Sequence, residues 1–253
     1  LAGVASGLAA AGKIPFISSF ATFLISKSFD QLRMSVAFPE LNVKVVGSHG
    51  GISVGEDGAS QMSIEDLALT TSLPNFVVMV PSDEFCTRAL VAQTAEHKGP
   101  VFIRTCRPKA PLVHSDKTKF EIGKGVRVRE GKGVTIVALG LLVAEALEAA
   151  ETLAGQGIEA SVIDLHTVKP LDEKLLIEEA KKTGHVVVAE EHQIWGGLGS
   201  AVSRFLSQKA PCKMEFVAIQ DTFAESGPPM ELLEKYGLTA PHIEMAVKRV
   251  LSG

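Results

Sequence analysis

The sequence predicts an α/β protein of two domains, each a mostly parallel sheet covered by helices. Three observations lead there. Short apolar runs alternate with longer stretches of helical period, twice over. Within those runs apolar residues are continuous, the pattern of strands buried on both faces. Between the two strings lies "CRPKAPLVHSDKTKFEIGKG", with two prolines, scattered charges and no period. It puts a boundary near residues 108–120, giving domains over 1–115 and 120–253.

The elements follow in order. "LAGVASGLAAAG" reads as the body of a helix with no N-cap before it, so residues are expected to precede Leu1. Residues 14–17, 43–46, 76–80 and 101–103 are β-rich runs. Residues 22–36, 62–72 and 83–97 carry helical period between them, and Asp83, just after Pro81-Ser82, is placed to start a helix. In the second string, strands are expected at 134–139, 160–163, 186–189 and 216–219. Helices are expected at 143–154, 173–182 and 198–208, with Asp172 as an N-cap and Pro241 in the first turn of a last helix ending near Leu251.

Composition narrows the function. With 46% hydrophobic residues in 253, the chain can bury a core. A net charge of −4 leaves no general basic field for nucleic acid or an anionic membrane. An anionic ligand would need a few placed cations. Cys86, Cys106 and Cys212 form no CxxC, which reads as reduced thiols in a cytoplasmic protein. The weakly charged start is broken by Gly3, Gly7, Gly12 and Pro15, so it is not read as a membrane span.

Four segments could carry chemistry. "GSHGGISVGEDGASQM" (residues 47–62) follows a strand and precedes a helix expected near Gln61 or Met62. Ligands of open α/β sheets bind beyond the carboxyl ends of strands, and glycine lets a backbone approach closely. His49, Glu56, Asp57 and Gln61 would be the polar contacts. The alternative is a surface loop whose glycines serve turns, and the loop's length favours the ligand reading. Phe20 and Phe23 share a face at i, i+3, a spacing that reads first as core. "VFIRTCRP" ends a strand with Arg104 and Arg107, one of which is expected to hold an anion. "EEHQIWGGLG", from Glu190, could open a phosphate-binding helix or hold a metal, but tight strand-to-helix packing is the better reading. His97, His114, His166, His185 and His242 look isolated. The second domain shows no catalytic set and is assigned to assembly.

Together, "AGKIPFISSFATF", "FDQLRM", "GSHGGISVGEDGASQMSIEDLA", "PSDEFCTRAL", "FIRTCRP" and "VKPLDEKLL" resemble transketolase, in order and over nearly the whole chain. The resemblance implies the pyrimidine-binding domain, lacking its beginning, followed by the C-terminal domain. It implies thiamine diphosphate chemistry, with a two-carbon ketol unit moved between sugar phosphates. On the matching positions, Phe23 would stack on the aminopyrimidine with Phe20 beside it, which revises their core reading, and Gln61 would face the cofactor. His49 would contact the donor sugar and move its protons, Asp57 would accept from a sugar hydroxyl, and Arg107 would hold the phosphate. Many members have histidine where Gln61 stands, although transketolases sharing "GEDG-x-SQM" also have glutamine.

The glutamate that binds the pyrimidine ring nitrogen in this family would lie before Leu1. The diphosphate domain, with its Mg2+ or Ca2+ ligands, is also outside this sequence. The resemblance therefore implies a subunit that works with an N-terminal transketolase subunit and pairs with a second copy of itself, inactive when alone. Two rivals remain. One is another thiamine diphosphate enzyme, a deoxyxylulose-phosphate synthase or a 2-oxoacid dehydrogenase β subunit. The other is a non-catalytic dimerisation module.

Overall fold

The computed structural model describes residues 1–252. Strands and helices are numbered in chain order. In the first sheet, β1 (Phe16–Phe20), β2 (Lys44–Ser48), β3 (Val77–Met79) and β4 (Val101–Arg104) run parallel in the order β1-β2-β4-β3. In the second, β6 (Val134–Ala138), β7 (Ala160–Asp164), β9 (His185–Gln193) and β10 (Lys213–Ile219) run parallel in the order β10-β9-β6-β7. Each sheet gains one antiparallel edge strand: β8 (Thr167–Lys169) on β3, and β5 (Val126–Arg129) on β7. The α/β class and its two mostly parallel sheets are as the apolar runs predict, and β6 and β7 are buried along their whole length.

The covering helices are α1 (Ala2–Ala10), α2 (Phe29–Leu32), α3 (Asp66–Ser72), α4 (Glu84–Glu96), α5 (Leu142–Ala154), α6 (Glu173–Thr183), α7 (Leu198–Lys209), α8 (Pro229–Lys235) and α9 (Ala240–Ser252). α9 shows why they pack: Ile243, Ala246, Val247 and Val250 recur at i, i+3, i+4 and i+7 and are all buried. Asp83 caps α4 by accepting from the Cys86 amide at 2.9 Å, and Asp172 caps α6 by accepting from the Leu175 amide at 3.1 Å. No helix among the described residues is long and apolar enough to cross a membrane.

The fold departs from expectation in three places. Residues 22–36 are not one helix: π-helical turns at Thr22–Ser26 and Arg33–Ala37 flank the short α2. Thr22, Ile25, Ser26 and Ser28 are poor α formers, and π turns gather at functional sites. The helix expected from residue 62 begins at Asp66, because the Ser63 backbone is bridged to Gly50 and Gly51 instead. β5, β8 and α8 lack apolar runs long enough to be foreseen.

The two strings also interlock. β8 lies beyond residue 120 in sequence, yet it extends the first sheet. One buried cluster joins Ile17, Val45 and Phe102 of the first sheet to Ile163, Val188 and Val202 of the second unit.

Candidate functional site

β1, β2 and β4 end side by side. The register pairs Phe20 with Ser48 and Gly47 with Arg104, so the segments after all three strands open on one edge. This is where ligands of parallel sheets bind. The Phe20 and His49 rings stack there, with centroids 4.1 Å apart and planes 10° from parallel. Phe23, on the first π turn, lies nearly parallel to Phe20 at 5.9 Å. Lys27 Nζ stands 5.0 Å over the Phe23 ring. All three rings are half-buried. His49 has φ +59°, a left-handed conformation that a non-glycine residue holds only when its surroundings enforce it. Its Nδ1 is 3.1 Å from Ser48 Oγ.

The glycines of the 47–62 loop are bare for a reason the sequence did not reveal. They meet protein, not ligand. A Cβ on Gly50 would stand 2.2 Å from Arg104 Nε, and one on Gly51 2.2 Å from the Glu191 carboxyl carbon. A Cβ on Gly55 would meet Pro229 at 2.8 Å, and one on Gly58 would meet Ser226 Oγ at 2.4 Å. Glu191, Ser226 and Pro229 belong to the second half. That half therefore frames the loop, which corrects its assignment to assembly alone.

The two arginines divide. Arg104 is buried; its guanidinium donates to Asp66 Oδ1 at 3.3 Å and to the Glu191 carbonyl at 2.5 Å. It is a structural cation and cannot meet a ligand. Arg107 is exposed, donates to the Val54 carbonyl at 2.5 Å, and lies 3.5 Å from Asp57 and 3.6 Å from Glu56. Asp57 and Glu56 stand on a 3₁₀ turn (Gly55–Asp57). The structure thus brings together two sets, Phe20–His49–Phe23 and Glu56–Asp57–Arg107. Gln61 joins neither by hydrogen bond: its Oε1 accepts from Ser60 Oγ at 2.5 Å.

Buried acids surround Arg104. Burial pushes the Asp66 carboxyl up to about 6 and the Glu190 carboxyl up to about 7, and raises Glu191 as well. Glu190 accepts from the Leu198 and Gly199 amides, both at 2.7 Å, and so caps α7. His192 is fully buried and held down to about 3; with Nδ1–H assigned as donor to the Gln193 carbonyl at 2.6 Å, its Nε2 accepts from the Ala68 amide at 3.4 Å. These contacts agree with a packing role for the "EEHQIWGGLG" segment.

Two histidines that look isolated in sequence are not. His114, from the segment between the sheets, pairs through Nε2 with buried Asp164 at 2.8 Å, which also accepts from Ser82 Oγ at 2.6 Å. Phe120 stands edge-on between His114 and His166. No local signal marks these partners, which are distant in sequence.

Phe20 and Phe23 offer a half-buried aromatic platform, which suits a flat heteroaromatic ring. Among the described residues, no three His, Cys, Asp or Glu side chains stand together as metal ligands. That aromatic platform fits the ring end of a cofactor such as thiamine diphosphate.

The fold and this edge define two successive α/β domains, the first with an aromatic platform where its parallel strands end. The family model described as "Transketolase, pyrimidine binding domain" matches residues 1–112, and "Transketolase, C-terminal domain" matches residues 123–243. The chain belongs to the transketolase family. It is 46% identical over 248 residues to the 6-deoxy-6-sulfo-D-fructose transketolase subunit SqwH of Clostridium sp. (strain MSTE9), covering 98% of this chain and 77% of that one. It is 38% identical over 242 residues to human transketolase, covering 94% of this chain and 38% of that enzyme. A solved structure described as a split gene transketolase, inactive beta4 tetramer, superposes with a TM-score of 0.94 at 50% identity, over 99% of this chain and 80% of that one.

Proposed function

We propose that this chain is the C-terminal subunit of a split transketolase, one that moves two-carbon ketol units between sugar phosphates. Its active site is completed by an N-terminal, diphosphate-binding subunit that supplies the ligands for Mg2+ or Ca2+. A second copy of the chain pairs with the first. The observation that carries this reading is the Phe20–His49 stack at the shared carboxyl edge, with Arg107 and Asp57 paired on the same loop system. When bound, thiamine diphosphate supplies the electron sink for breaking and making the carbon–carbon bond.

The residues have separate tasks. Phe23, with Phe20 beside it, would hold the aminopyrimidine ring, and Gln61 would offer it a hydrogen bond. Glutamine can orient a ring but cannot carry a proton. Proton transfer at the sugar hydroxyls falls to His49, whose Nε2 makes no hydrogen bond among the described residues. Asp57 accepts from a sugar hydroxyl. Arg107, with its guanidinium at the exposed rim, holds the terminal anion of the sugar. A guanidinium donates to sulfonate oxygens as well as to phosphate oxygens. The relative described as acting on 6-deoxy-6-sulfo-D-fructose makes both head groups worth comparing.

The test is reconstitution. The isolated chain should transfer no ketol group, and adding an N-terminal transketolase subunit, thiamine diphosphate and Mg2+ should restore transfer from a ketose phosphate to an aldose phosphate. Turnover by the isolated chain would reject the split-site reading. In the reconstituted enzyme Arg107→Ala should raise KM for the sugar phosphate by about tenfold to a hundredfold, from the roughly 1.5–3 kcal/mol of a charged hydrogen bond. An unchanged KM would remove Arg107 from the site.

A further inference from the structure

His49 and Asp57 stand on a loop whose later part is bonded within itself, the Gly55 amide donating to the Ile52 carbonyl at 3.0 Å and the Gly58 amide to the Gly55 carbonyl at 3.1 Å, while its earlier part is held from outside. The Gly50 amide donates to the Thr105 carbonyl at 3.0 Å and the Gly51 amide to the Ser63 carbonyl at 2.7 Å. Ser53 lies midway between His49 and Asp57 in sequence. Its amide donates to Glu191 Oε1 at 2.6 Å. That carboxylate comes from 138 residues away, near the end of β9 in the other sheet, and its residue is 4% exposed. Arg104 braces it from behind, donating to the Glu191 carbonyl and standing 3.9 Å from Oε2. Gly51 is bare where the carboxyl lies against it.

We propose that Glu191 is a positioning residue. Through the Ser53 amide it fixes the loop that presents His49 and Asp57, and so makes the second half of the chain part of the catalytic frame. The inference rests on the sugar-phosphate reading of that loop. Glu191 reaches the site only through backbone, and a charged acceptor holds an amide more strongly than a neutral one. Apolar packing alone would join the halves without fixing this amide, because it is non-directional.

The experiment compares Glu191→Ala, Glu191→Asp and Glu191→Gln in the full chain by amide hydrogen exchange, and then in the complex reconstituted with the N-terminal subunit. In E191A, exchange across 50–58 should rise by about tenfold, the loss of one charged hydrogen bond, while β6 and β7 keep their protection. E191Q retains an Oε1 acceptor, though a neutral one, and should recover part of that protection. In the reconstituted enzyme kcat should follow the same order, with E191A lowest and E191Q partly restored, and thiamine diphosphate affinity should not change. Should E191A fail to fold, E191D, whose carboxylate is one methylene short, takes its place. Loop exchange in E191A within twofold of wild type would overturn the proposal. So would an E191Q as impaired as E191A, which would assign the effect to buried charge and not to the amide acceptor. A wild-type complex that transfers no ketol group would refute the functional reading, and the exchange result would still decide the role of Glu191.

Discussion

Arg104 and Arg107 are three residues apart, and replacing each should cost the fold very different amounts. The Arg104 side chain is 3% exposed, and the Asp66 carboxylate it faces is fully buried. In Arg104→Met, Asp66 and Glu191 remain buried without a cation. Removing one partner of a buried pair costs roughly 3–5 kcal/mol. That is a large share of the about 5–15 kcal/mol that holds a domain folded. The loss also has a pH signature. Burial pushes Asp66 up to about 6, and Arg104 holds it down against that push. Without Arg104 the folded value rises further above the unfolded value of about 4. A carboxyl raised on folding costs nothing below its unfolded pKa and costs in full above its folded one. The deficit of R104M should therefore be largest near pH 8 and shrink toward pH 5, where Asp66 is protonated in both folded proteins.

Arg107→Ala should lose much less. Glu56 and Asp57 are 65% and 37% exposed, and such pairs are worth about 0–1 kcal/mol. The bond to the Val54 carbonyl adds about 1 kcal/mol. Urea denaturation followed by circular dichroism at the two pH values measures both variants. An R104M within about 1 kcal/mol of wild type near pH 8, or a deficit that grows on acidification, would refute the reasoning.

Three further outcomes follow from buried groups. Glu190, raised by burial to about 7, costs stability as it ionises between about pH 4.5 and 7, so Glu190→Gln should gain on wild type by up to about 3 kcal/mol across that window. The amide also loses one of the two α7 capping bonds, a pH-independent offset, and a wholly pH-independent difference in urea midpoint would count against the argument. Burial raises the Cys86 thiol and hides it, so a thiol reagent should label partly exposed Cys212 in the native protein and Cys86 only on unfolding; equal native rates by mass spectrometry would contradict this. Gly58 sits at φ +79° and ψ −177°, a conformation essentially reserved for glycine, against Ser226 Oγ, so Gly58→Ala should cost about 1–3 kcal/mol for the backbone plus the clash, and adding Ser226→Ala should recover only the clash. Strictly additive melting shifts would deny the contact.

The legibility of the fold follows from where its information sits. β6 and β7 are visible because their runs of valine, isoleucine and alanine, interrupted only by Thr135, Ser161 and Asp164, lack the polar alternation of a half-exposed strand. Asp83 and Asp172 are visible as caps because a cap is a local bond. Residues 22–36 have helical period, but period does not distinguish an α turn from a π turn. β8 has three residues and exists because β3 leaves an edge open, a fact of the other half of the chain. The site divides in the same way. His49, Glu56, Asp57, Gln61 and the pair Arg104 and Arg107 could be singled out by residue type and place after a strand, and only the family resemblance pointed to Arg107. Which arginine was free could not be read from position, since that depends on Asp66 and Glu191 reaching Arg104. The glycines signalled a close approach, and the sequence did not say to what.

The cluster around Arg104 has a purpose that adhesion does not explain. The apolar core already crosses between the sheets, so the halves would stay joined without it. Replacing a buried ionic group whole by apolar residues of like volume is commonly neutral or stabilising, by about 1–4 kcal/mol. A triple variant, Arg104→Met with Asp66→Leu and Glu191→Met, should therefore melt no lower than wild type, in contrast to R104M alone. It should nevertheless lose loop order, because an apolar contact has no direction and cannot hold the Ser53 amide in one place. Amide exchange at 50–58 would rise while the melting temperature holds. A variant that keeps both its stability and its loop protection would mean that packing alone places His49, and that the ion cluster is dispensable to the site.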